Sequence, residues 1–238
     1  MPTPAYELTC TKNALIAKDV YDVRFTKPDG FSYEAGQFVL FDVPLLDNPN
    51  DIQTRAYSIA SAPHEDELIF VIKLIGEGRA SRWVAESLSE EDTVRMQGPF
   101  GRFLLDTSAK KDFLFICTST GVAPFRSQIL SALQSGNAQQ IDLVFGNRHE
   151  EDLFWVDEFE ALMQQHSNVE LHTVLSKPND AWEGHKGHVQ DIVPLVAGDL
   201  SEKLVYVCGN PAMADEVKQL CLNEWSIAKE DLHVEGFI

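Results

Sequence analysis

The sequence predicts a two-domain fold, in which an antiparallel β-barrel precedes an α/β domain built on a parallel sheet. The first half carries short strand-like runs separated by turn residues, a pattern typical of antiparallel barrels and sandwiches. From Phe113 onward, apolar runs alternate with segments of helical spacing, which predicts an open parallel sheet covered by helices. The polar segment 106–111 separates these patterns, so we predict domains at residues 1–106 and 107–238.

Composition places the chain among soluble globular proteins. It has 238 residues, of which 44% are hydrophobic and 24% charged. No apolar run approaches the roughly 20 residues that span a bilayer, and residues 1–4 show no secretory signal, so we expect a cytoplasmic protein. The histidines show no ligand spacing, and no metal site is expected. The widely spaced cysteines form no zinc or iron–sulfur pattern: Cys10, Cys117, Cys208 and Cys221.

The net charge of −18 restricts the partners. A nucleic-acid binder needs a cationic face, so the charge counts against nucleic acid, and it also disfavours docking on anionic lipid. A strongly acidic protein partner would be repelled unless cations cluster locally. The cations that could form such a cluster are Arg79, Arg82, Arg95, Arg102, Lys110 and Lys111.

The elements of the first domain follow one another with short connections. Residues 27–30 are a strong turn signal, and residues 44–51, rich in Pro, Asn and Asp, predict a loop. Gly76 precedes a segment that predicts a helix ending near Leu88, and residues 98–101 predict a turn. The predicted strands are residues 14–17, 20–25, 36–43, 55–61 and 68–75.

Two segments of this domain suit a ligand that combines phosphate with an aromatic ring. Arg55 can bind phosphate bidentately, Tyr57 can stack on a ring and Ser58 can bond a ring nitrogen. The alternative is a strand with a salt-bridged arginine and a half-buried tyrosine. Residues 76–81 place glycine before a helix start, which is a second candidate anion site.

Strands and helices alternate through the second domain. The loops after parallel strands leave one edge of the sheet, so segments 118–121, 146–148, 176–178 and 208–211 should converge on one crevice. The predicted strands are residues 113–117, 141–145, 170–175, 203–208 and 232–235. The predicted helices are residues 125–133, 157–165, 189–196 and 211–224.

The segment 118–121 predicts a pyrophosphate cradle. Small residues there let a phosphate approach the backbone, and a helix N-terminus with Pro124 in its first turn offers unpaired N–H groups and a positive dipole end. The alternative is an ordinary junction between a strand and a helix.

Read in order, five segments resemble the ferredoxin–NADP⁺ reductase superfamily, a flavin-plus-nicotinamide module of electron-transfer reductases. The likeness covers nearly the whole chain. Ser119 stands where the family usually has Gly, and Phe237, followed by Ile238, replaces the commoner Tyr. The five segments are Arg55-x-Tyr57-Ser58, Gly78-x-x-Ser81, Ser119-Thr120-Gly121-Val122-Ala123-Pro124-Phe125, Cys208-Gly209-x-Pro211-x-Met213 and Val234-Glu235-x-Phe237.

The resemblance implies a fold with an FAD-binding β-barrel domain, an NAD(P)-binding α/β domain, and a role for each motif. Arg55 would hold the flavin pyrophosphate, Tyr57 would lie against the flavin ring and Phe237 would cover its other face. Cys208, Glu235 and Phe237 have structural alternatives, as a small buried residue, a solvated terminal carboxylate and core packing respectively. The implied catalytic residues are Ser58, Cys208, Glu235 and Phe237. The implied cofactor-binding residues are Arg55, Ala56, Tyr57, Ser58, Gly78, Arg79, Ala80, Ser81, Thr120, Gly121, Arg148, Lys177, Cys208, Gly209, Met213 and Phe237.

The choice between NADH and NADPH depends on cations for the ribose 2′-phosphate, and Arg148 and Lys177 are the candidates. The acidic run 149–152 would repel a phosphate if it lies nearby, and the pattern Trp182-x-Gly184-x-x-Gly187-x-Val189 resembles NADH-using oxygenase reductases. We expect NADH to be preferred.

Three functions stay open for this module. The first is an FAD-dependent NAD(P)H oxidoreductase, a monomer, that reduces a separate one-electron acceptor such as a small iron–sulfur carrier or an oxygenase component. The second is an NAD(P)H-dependent reductase of free flavin or another diffusible acceptor. The third is a nucleotide-binding electron-relay or regulatory subunit of a larger complex.

Overall fold

The computed structural model describes residues 3–76, 78–108 and 110–237. These residues divide into two compact units. The first contains the described residues up to Leu105 together with Ala123–Ser131, and the second contains Asp106–Val122 and the described residues from Ala132 onward.

The first unit is a curled, six-stranded antiparallel sheet, which confirms the predicted barrel class. Its strands are ordered β4-β3-β6-β1-β2-β5. Aromatic side chains fill the concave side, where the rings of Phe41 and Phe70 meet edge to face with centroids 4.9 Å apart. The strands are β1 (Ala5–Ala17), β2 (Val20–Thr26), β3 (Phe38–Leu45), β4 (Asn48–Ser58), β5 (Glu67–Lys73) and β6 (Thr93–Phe100).

Two predictions about this unit were wrong. Residues 44–51 are not a single loop, because β3 runs to Leu45 and β4 begins at Asn48; only residues 46–47 form a turn between the strands, and Pro44 lies opposite Ile52. Residues 98–101 do not form a turn, because β6 continues to Phe100, which pairs with Phe38 of β3. In both places cross-strand pairing overrides the low strand propensity of Pro, Gly, Asn and Asp.

A short helical segment follows β5, as predicted. Helix α1 (Arg79–Arg82) continues into a π-helical turn over Trp83–Ser87, and the N–H of Leu88 donates to the carbonyl of Trp83. The side-chain amide of Asn13 donates to two carbonyl groups at this end, those of Val84 (2.8 Å) and Leu88 (2.7 Å). β1 therefore fixes where the helical segment ends.

Most of helix α2 (Val122–Gln134) belongs to the first unit by its contacts. The buried guanidinium of Arg126 donates to the carbonyl of Ala60 (2.9 Å) and to both carboxylate oxygens of Glu65 (2.8 and 3.0 Å). Next to it, Ser127 Oγ donates to the carbonyl of Ser61 (2.6 Å). These bonds give partners to two carbonyl groups of the segment between β4 and β5, those of Ala60 and Ser61.

The second unit is an α/β layer whose six strands are all parallel, which confirms the predicted class. Their order is β10-β9-β8-β7-β11-β12. The strands are β7 (Asp112–Thr118), β8 (Ile141–Asn147), β9 (Val169–Leu175), β10 (His185–Lys186), β11 (Lys203–Gly209) and β12 (Leu232–Gly236). The helices are α3 (Val156–Gln165), α4 (Val189–Val196) and α5 (Pro211–Asn223). The two-residue β10 was not predicted, because it is too short to leave a pattern.

A buried ion pair lies at the amino-terminal end of this sheet. Lys203 Nζ is 2.9 Å from Asp142 Oδ2 and 3.5 Å from a carboxylate oxygen of Asp112. One ligand atom each of Asp142, Glu170 and His172 lie within 4.8 Å of one another, a spacing that a metal ion could use. The ammonium group of Lys203 already supplies a cation there, and we assign no metal to this cluster.

Among the described residues, no helix is long and apolar enough to cross a membrane.

The Arg126–Glu65 pair yields a stability prediction. We expect Arg126→Met to lower the free energy of unfolding by about 3 kcal/mol, because the buried carbonyl of Ala60 loses this donor and the half-buried carboxylate of Glu65 keeps only the backbone N–H of Ala62 and loses its counter-charge. Burial opposes ionisation of Glu65, but the hydrogen bonds and charge of Arg126 outweigh burial and lower the pKa of Glu65. A lowered folded-state pKa contributes stability above the ordinary glutamate pKa, and this contribution is lost as the pH falls through the folded value.

Urea unfolding at pH 7 and at pH 3 measures this effect, and the difference between wild type and Arg126→Met should shrink at pH 3. The control is Arg95→Met, which breaks a pair with Asp42 in which the arginine side chain is 49% exposed; its cost should stay below about 1 kcal/mol. Equal costs for the two variants at pH 7 would contradict the assignment.

Candidate functional site

The loop after β7 approaches the end of β11 so closely that neither backbone has room for a side chain. A Cβ on Gly121 would overlap the carbonyl of Cys208 and lie 2.6 Å from Cα of Gly209. A Cβ on Gly209, whose φ is +132°, would lie 2.6 Å from Thr118 Oγ1. Thr118 Oγ1 also accepts a hydrogen bond from the N–H of Asn210 (3.1 Å). The predicted cradle and the predicted nicotinamide-side motif are therefore one packed unit.

The cradle itself is a short turn that leads directly into a helix. Ser119–Gly121 form one 3₁₀ turn, and α2 begins at Val122. Ser119 has a φ of +51°, a left-handed conformation that glycine adopts without strain. Its Oγ is buried without a hydrogen-bond partner. The conformation explains in physical terms why glycine is usual at this position and why serine is costly.

Asn210 begins helix α5. Its side-chain oxygen accepts hydrogen bonds from the N–H groups of Ala212 (2.9 Å) and Met213 (3.3 Å), and Pro211 occupies the first helical position. Met213 itself lies in the core of the second unit. Its side chain therefore packs below the loop, and its contribution to cofactor binding stays a prediction.

Three ionisable groups lie side by side at the carboxyl end of the sheet. Cys208 on β11 is in register with Cys117 on β7 and with Glu235 on β12. Burial raises the pKa of Cys208 well above its usual value, and the charges of Glu235 and Cys117 add to the effect. Burial also raises the pKa of Glu235. The Cys208 thiol is therefore neutral and suits contact and positioning rather than nucleophilic attack.

Phe237 lies next to this row. Its backbone N–H donates to the carbonyl of Gly209 (2.9 Å), so the chain end is fastened to the glycine that also contacts Thr118. The aromatic side chain is half-buried. The implied role of Phe237 in covering the flavin stays a prediction.

The loops after β8 and β9 are joined by backbone hydrogen bonds. The N–H of Lys177 donates to the carbonyl of Arg148 (2.8 Å), and the N–H of Ser176 donates to that of Asn147 (3.1 Å). Imidazole Nδ1 of His149 is 2.6 Å from the carbonyl oxygen of Lys177. The side chains of Arg148 and Lys177 are exposed, and within the described residues neither has an ion-pair partner. The two predicted cations are thus neighbours.

In the first unit, strand β4 carries the predicted flavin residues. Arg55 and Tyr57 share one face of β4, and Ser58 lies on the other. The ring of Tyr57 packs 5.8 Å from that of Phe41, and burial raises the pKa of Tyr57 to about 12. Arg55 bonds only to neutral groups of its own strand, the carbonyl of Thr54 and the side chain of Gln53. Its positive charge is therefore not neutralised by a carboxylate of the described residues.

The second flavin segment is tied to the same strand. Arg79 donates to the carbonyl of Asp51 (2.7 Å) and to both of its carboxylate oxygens (3.0 Å each). Asp51 precedes Arg55 by four residues, so it lies on the face of β4 that carries Arg55 and Tyr57. Ser81 is buried and accepts from the N–H of Ile75 (2.7 Å), which leaves its hydroxyl hydrogen to donate elsewhere. Gly78 is the N-cap residue of α1, and Ala80 lies between Arg79 and Ser81.

Sequence reasoning missed Asp51, and it placed Thr118 and Asn210 in converging segments without assigning a contact to either. Asp51 lies in a segment for which the sequence predicts a loop, so nothing in the sequence indicated its contact with Arg79. The Asn-Pro pair at 210–211 is a helix-start signal that could have identified Asn210. The role of Thr118 depends on a contact between strands 92 residues apart in sequence, which no local pattern reports.

The donors present fit the predicted cofactors. The β4 face offers an unneutralised guanidinium beside an aromatic ring, as a flavin pyrophosphate and ring require. The loop after β7 offers a close backbone approach at the start of a 13-residue helix, as a second pyrophosphate requires. Fold and donors together define a class, the flavin- and nicotinamide-dependent oxidoreductases.

Comparison with known proteins identifies the family. An oxidoreductase FAD-binding domain model matches residues 7–104, and an oxidoreductase NAD-binding domain model matches residues 115–219. The chain belongs to the ferredoxin–NADP⁺ reductase superfamily, and it is an FAD-dependent NAD(P)H oxidoreductase of that type.

Individual relatives agree with this assignment. Ferredoxin–NADP reductase B of Sorangium cellulosum is 34% identical over 92% of this chain and 91% of its own length. The phenol 2-monooxygenase reductase component DmpP of Pseudomonas is 31% identical over 86% of this chain, which spans 58% of that relative. The solved structure of the Amycolatopsis cytochrome P450 reductase GcoB is 26% identical with a TM-score of 0.85, covering 98% of this chain and 70% of that one.

The close approach at Gly121 predicts a selective defect. We expect Gly121→Ala to raise the KM for the nicotinamide nucleotide at least tenfold, because the added methyl group must push the cradle away from Cys208. Flavin content should not change, because the flavin residues lie in the other unit. Steady-state kinetics and the visible spectrum measure both effects. The control is Gly136→Ala, where φ is +75° and nothing lies within 4 Å of the added atom, so the KM should not change. An unchanged KM in folded Gly121→Ala would refute the prediction.

The strain at Ser119 predicts a stabilising substitution. We expect Ser119→Gly to raise the free energy of unfolding by about 1 kcal/mol, because it removes a left-handed non-glycine residue and a buried hydroxyl without a partner. Chemical denaturation measures the change. Ser119→Ala removes the hydroxyl but keeps the strained conformation, so it separates the two contributions. A loss of stability in Ser119→Gly would mean that the hydroxyl has a partner.

Proposed function

We propose that the protein oxidises NADH and passes the electrons through FAD to a separate one-electron carrier, a small iron–sulfur protein or an oxygenase component. Bound FAD would supply the chemistry, by taking a hydride at N5 and releasing electrons singly. The single observation behind this proposal is the presence in one chain of two separate sites suited to a pyrophosphate, the β4 face and the loop after β7. We also propose that residues 1–106 and 107–238 are the two functional domains of a cytoplasmic monomer.

The chain's own residues have distinct tasks in this proposal. Arg55 holds the flavin pyrophosphate with its unneutralised charge, and Tyr57 presents an aromatic surface to the ring. Gly121 and Gly209 let the loop after β7 lie against the end of β11, and this packed loop is the cradle for the nucleotide pyrophosphate. Cys208, neutral and fully buried, provides a small apolar boundary beside the nicotinamide.

The names of two relatives support an external acceptor. Those proteins are a ferredoxin–NADP reductase and a reductase component of a phenol monooxygenase. Within the described residues we find no cluster of cysteines that could hold an iron–sulfur centre, since all four cysteines are buried and free. Electrons that leave FAD must therefore reach a group that this part of the chain does not provide.

An acceptor assay tests the proposal. We expect the purified protein to be yellow, to retain FAD through gel filtration, and to reduce ferricyanide with NADH. Cytochrome c should be reduced only when a ferredoxin is added. Flavin that is lost on gel filtration, together with turnover that requires added free flavin, would favour the diffusible-flavin reductase. A colourless protein that takes up no flavin would overturn the proposal.

A further inference from the structure

We infer that Glu150 is a specificity-determining residue, whose carboxylate disfavours a 2′-phosphate and so selects NADH over NADPH. This inference rests on the proposed function and concerns the same nucleotide site. It begins with a single contact: Glu150 Oε1 accepts a hydrogen bond from the backbone N–H of Asn179 (2.8 Å). Glu150 follows β8, whereas Asn179 follows β9, so the contact joins two loops.

The topology indicates which half of the nucleotide these loops meet. The cradle follows β7, which lies between β8 on one side and β11 on the other. A dinucleotide extends in both directions from its pyrophosphate, and the Cys208 segment on β11 is assigned to the nicotinamide half. The adenosine half must then extend over β8 and β9, at about 5 and 10 Å from β7 by ordinary strand spacing.

The two cations at this end of the sheet are accompanied by carboxylates, so the region is not basic. Arg148 and Lys177 are exposed cations whose loops are joined by the 2.8 Å backbone hydrogen bond. Glu150 lies two residues after Arg148 and bonds two residues after Lys177. Its negative charge is therefore held among the groups that would otherwise bind a 2′-phosphate.

The hydrogen bond from Asn179 fixes the position of the Glu150 carboxylate, and this fixed position allows the carboxylate to discriminate between the two nucleotides. A free glutamate could swing into solvent when a phosphate arrives, and its repulsion would then be screened. Here the Asn179 N–H holds the carboxylate, and leaving it would break a charge-assisted hydrogen bond. NADH brings no charge to this position and meets no such repulsion.

Glu150→Gln provides a nearly isosteric test. The amide oxygen can still accept from Asn179, so the loops stay joined while the negative charge is removed. We expect the ratio of kcat/KM for NADPH to that for NADH to rise about tenfold. The inhibition constant of 2′,5′-ADP should fall by a similar factor, whereas that of 5′-ADP should change less than twofold. A further Arg148→Ala or Lys177→Ala substitution in this background should abolish the gain.

The control is Glu160→Gln, which removes the same charge from an exposed position on α3. It should leave both ratios unchanged, and an equal shift there would mean that net charge alone is responsible. An unchanged ratio in Glu150→Gln refutes the inference, as does a wild type that prefers NADPH tenfold. Absence of flavin and of ferricyanide reduction in the wild type would instead refute the proposed function, so the two failures are distinguishable.

Discussion

The nucleotide half of this protein depends on the approach of two backbone segments that allows no Cβ between them. Gly121 and Gly209 meet where the loop after β7 passes the end of β11, and Thr118 Oγ1 receives the N–H of Asn210 at the same place. Only glycine fits at these two positions, because any side chain would separate the segments. The glycine of the cradle is therefore required by the contact with the neighbouring strand, independently of the role toward a phosphate that we propose for this loop.

The flavin half is organised differently, around one strand. β4 carries Asp51, Arg55 and Tyr57 on one face, and Asp51 binds Arg79, the first residue of α1. The carboxylate fixes the second flavin segment and at the same time neutralises its arginine. Arg55 is left as the cation on this face without a carboxylate partner among the described residues, so it, rather than Arg79, is the guanidinium available for a phosphate.

The fold class and the motif positions could be predicted from the sequence, because apolar periodicity and glycine-before-helix signals are local. Predictions failed where distant pairing decides the structure. Residues 44–51 contain loop-forming residues, yet most of them belong to β3 and β4. Strand β6 continues through Gly98 and Pro99 to Phe100, which pairs with Phe38. Ser119 shows the converse case, since the sequence identified the departure from glycine but only the backbone angle explains it. Contacts such as that of Asp51 with Arg79 depend on register, which one sequence does not report.

The distribution of charge limits how a carrier could be recognised. Of the six cations that could form a basic patch, four are bound to acids: Arg79 to Asp51, Arg82 to Asp47 and Glu86, Arg95 to Asp42, and Lys111 to Asp231. Paired cations project little field, whereas the chain as a whole carries −18. Long-range attraction would therefore not guide an acidic carrier to this protein. Such a carrier would have to be held by short-range packing and hydrogen bonds, whose strength changes little with salt, after an encounter that salt accelerates by screening repulsion.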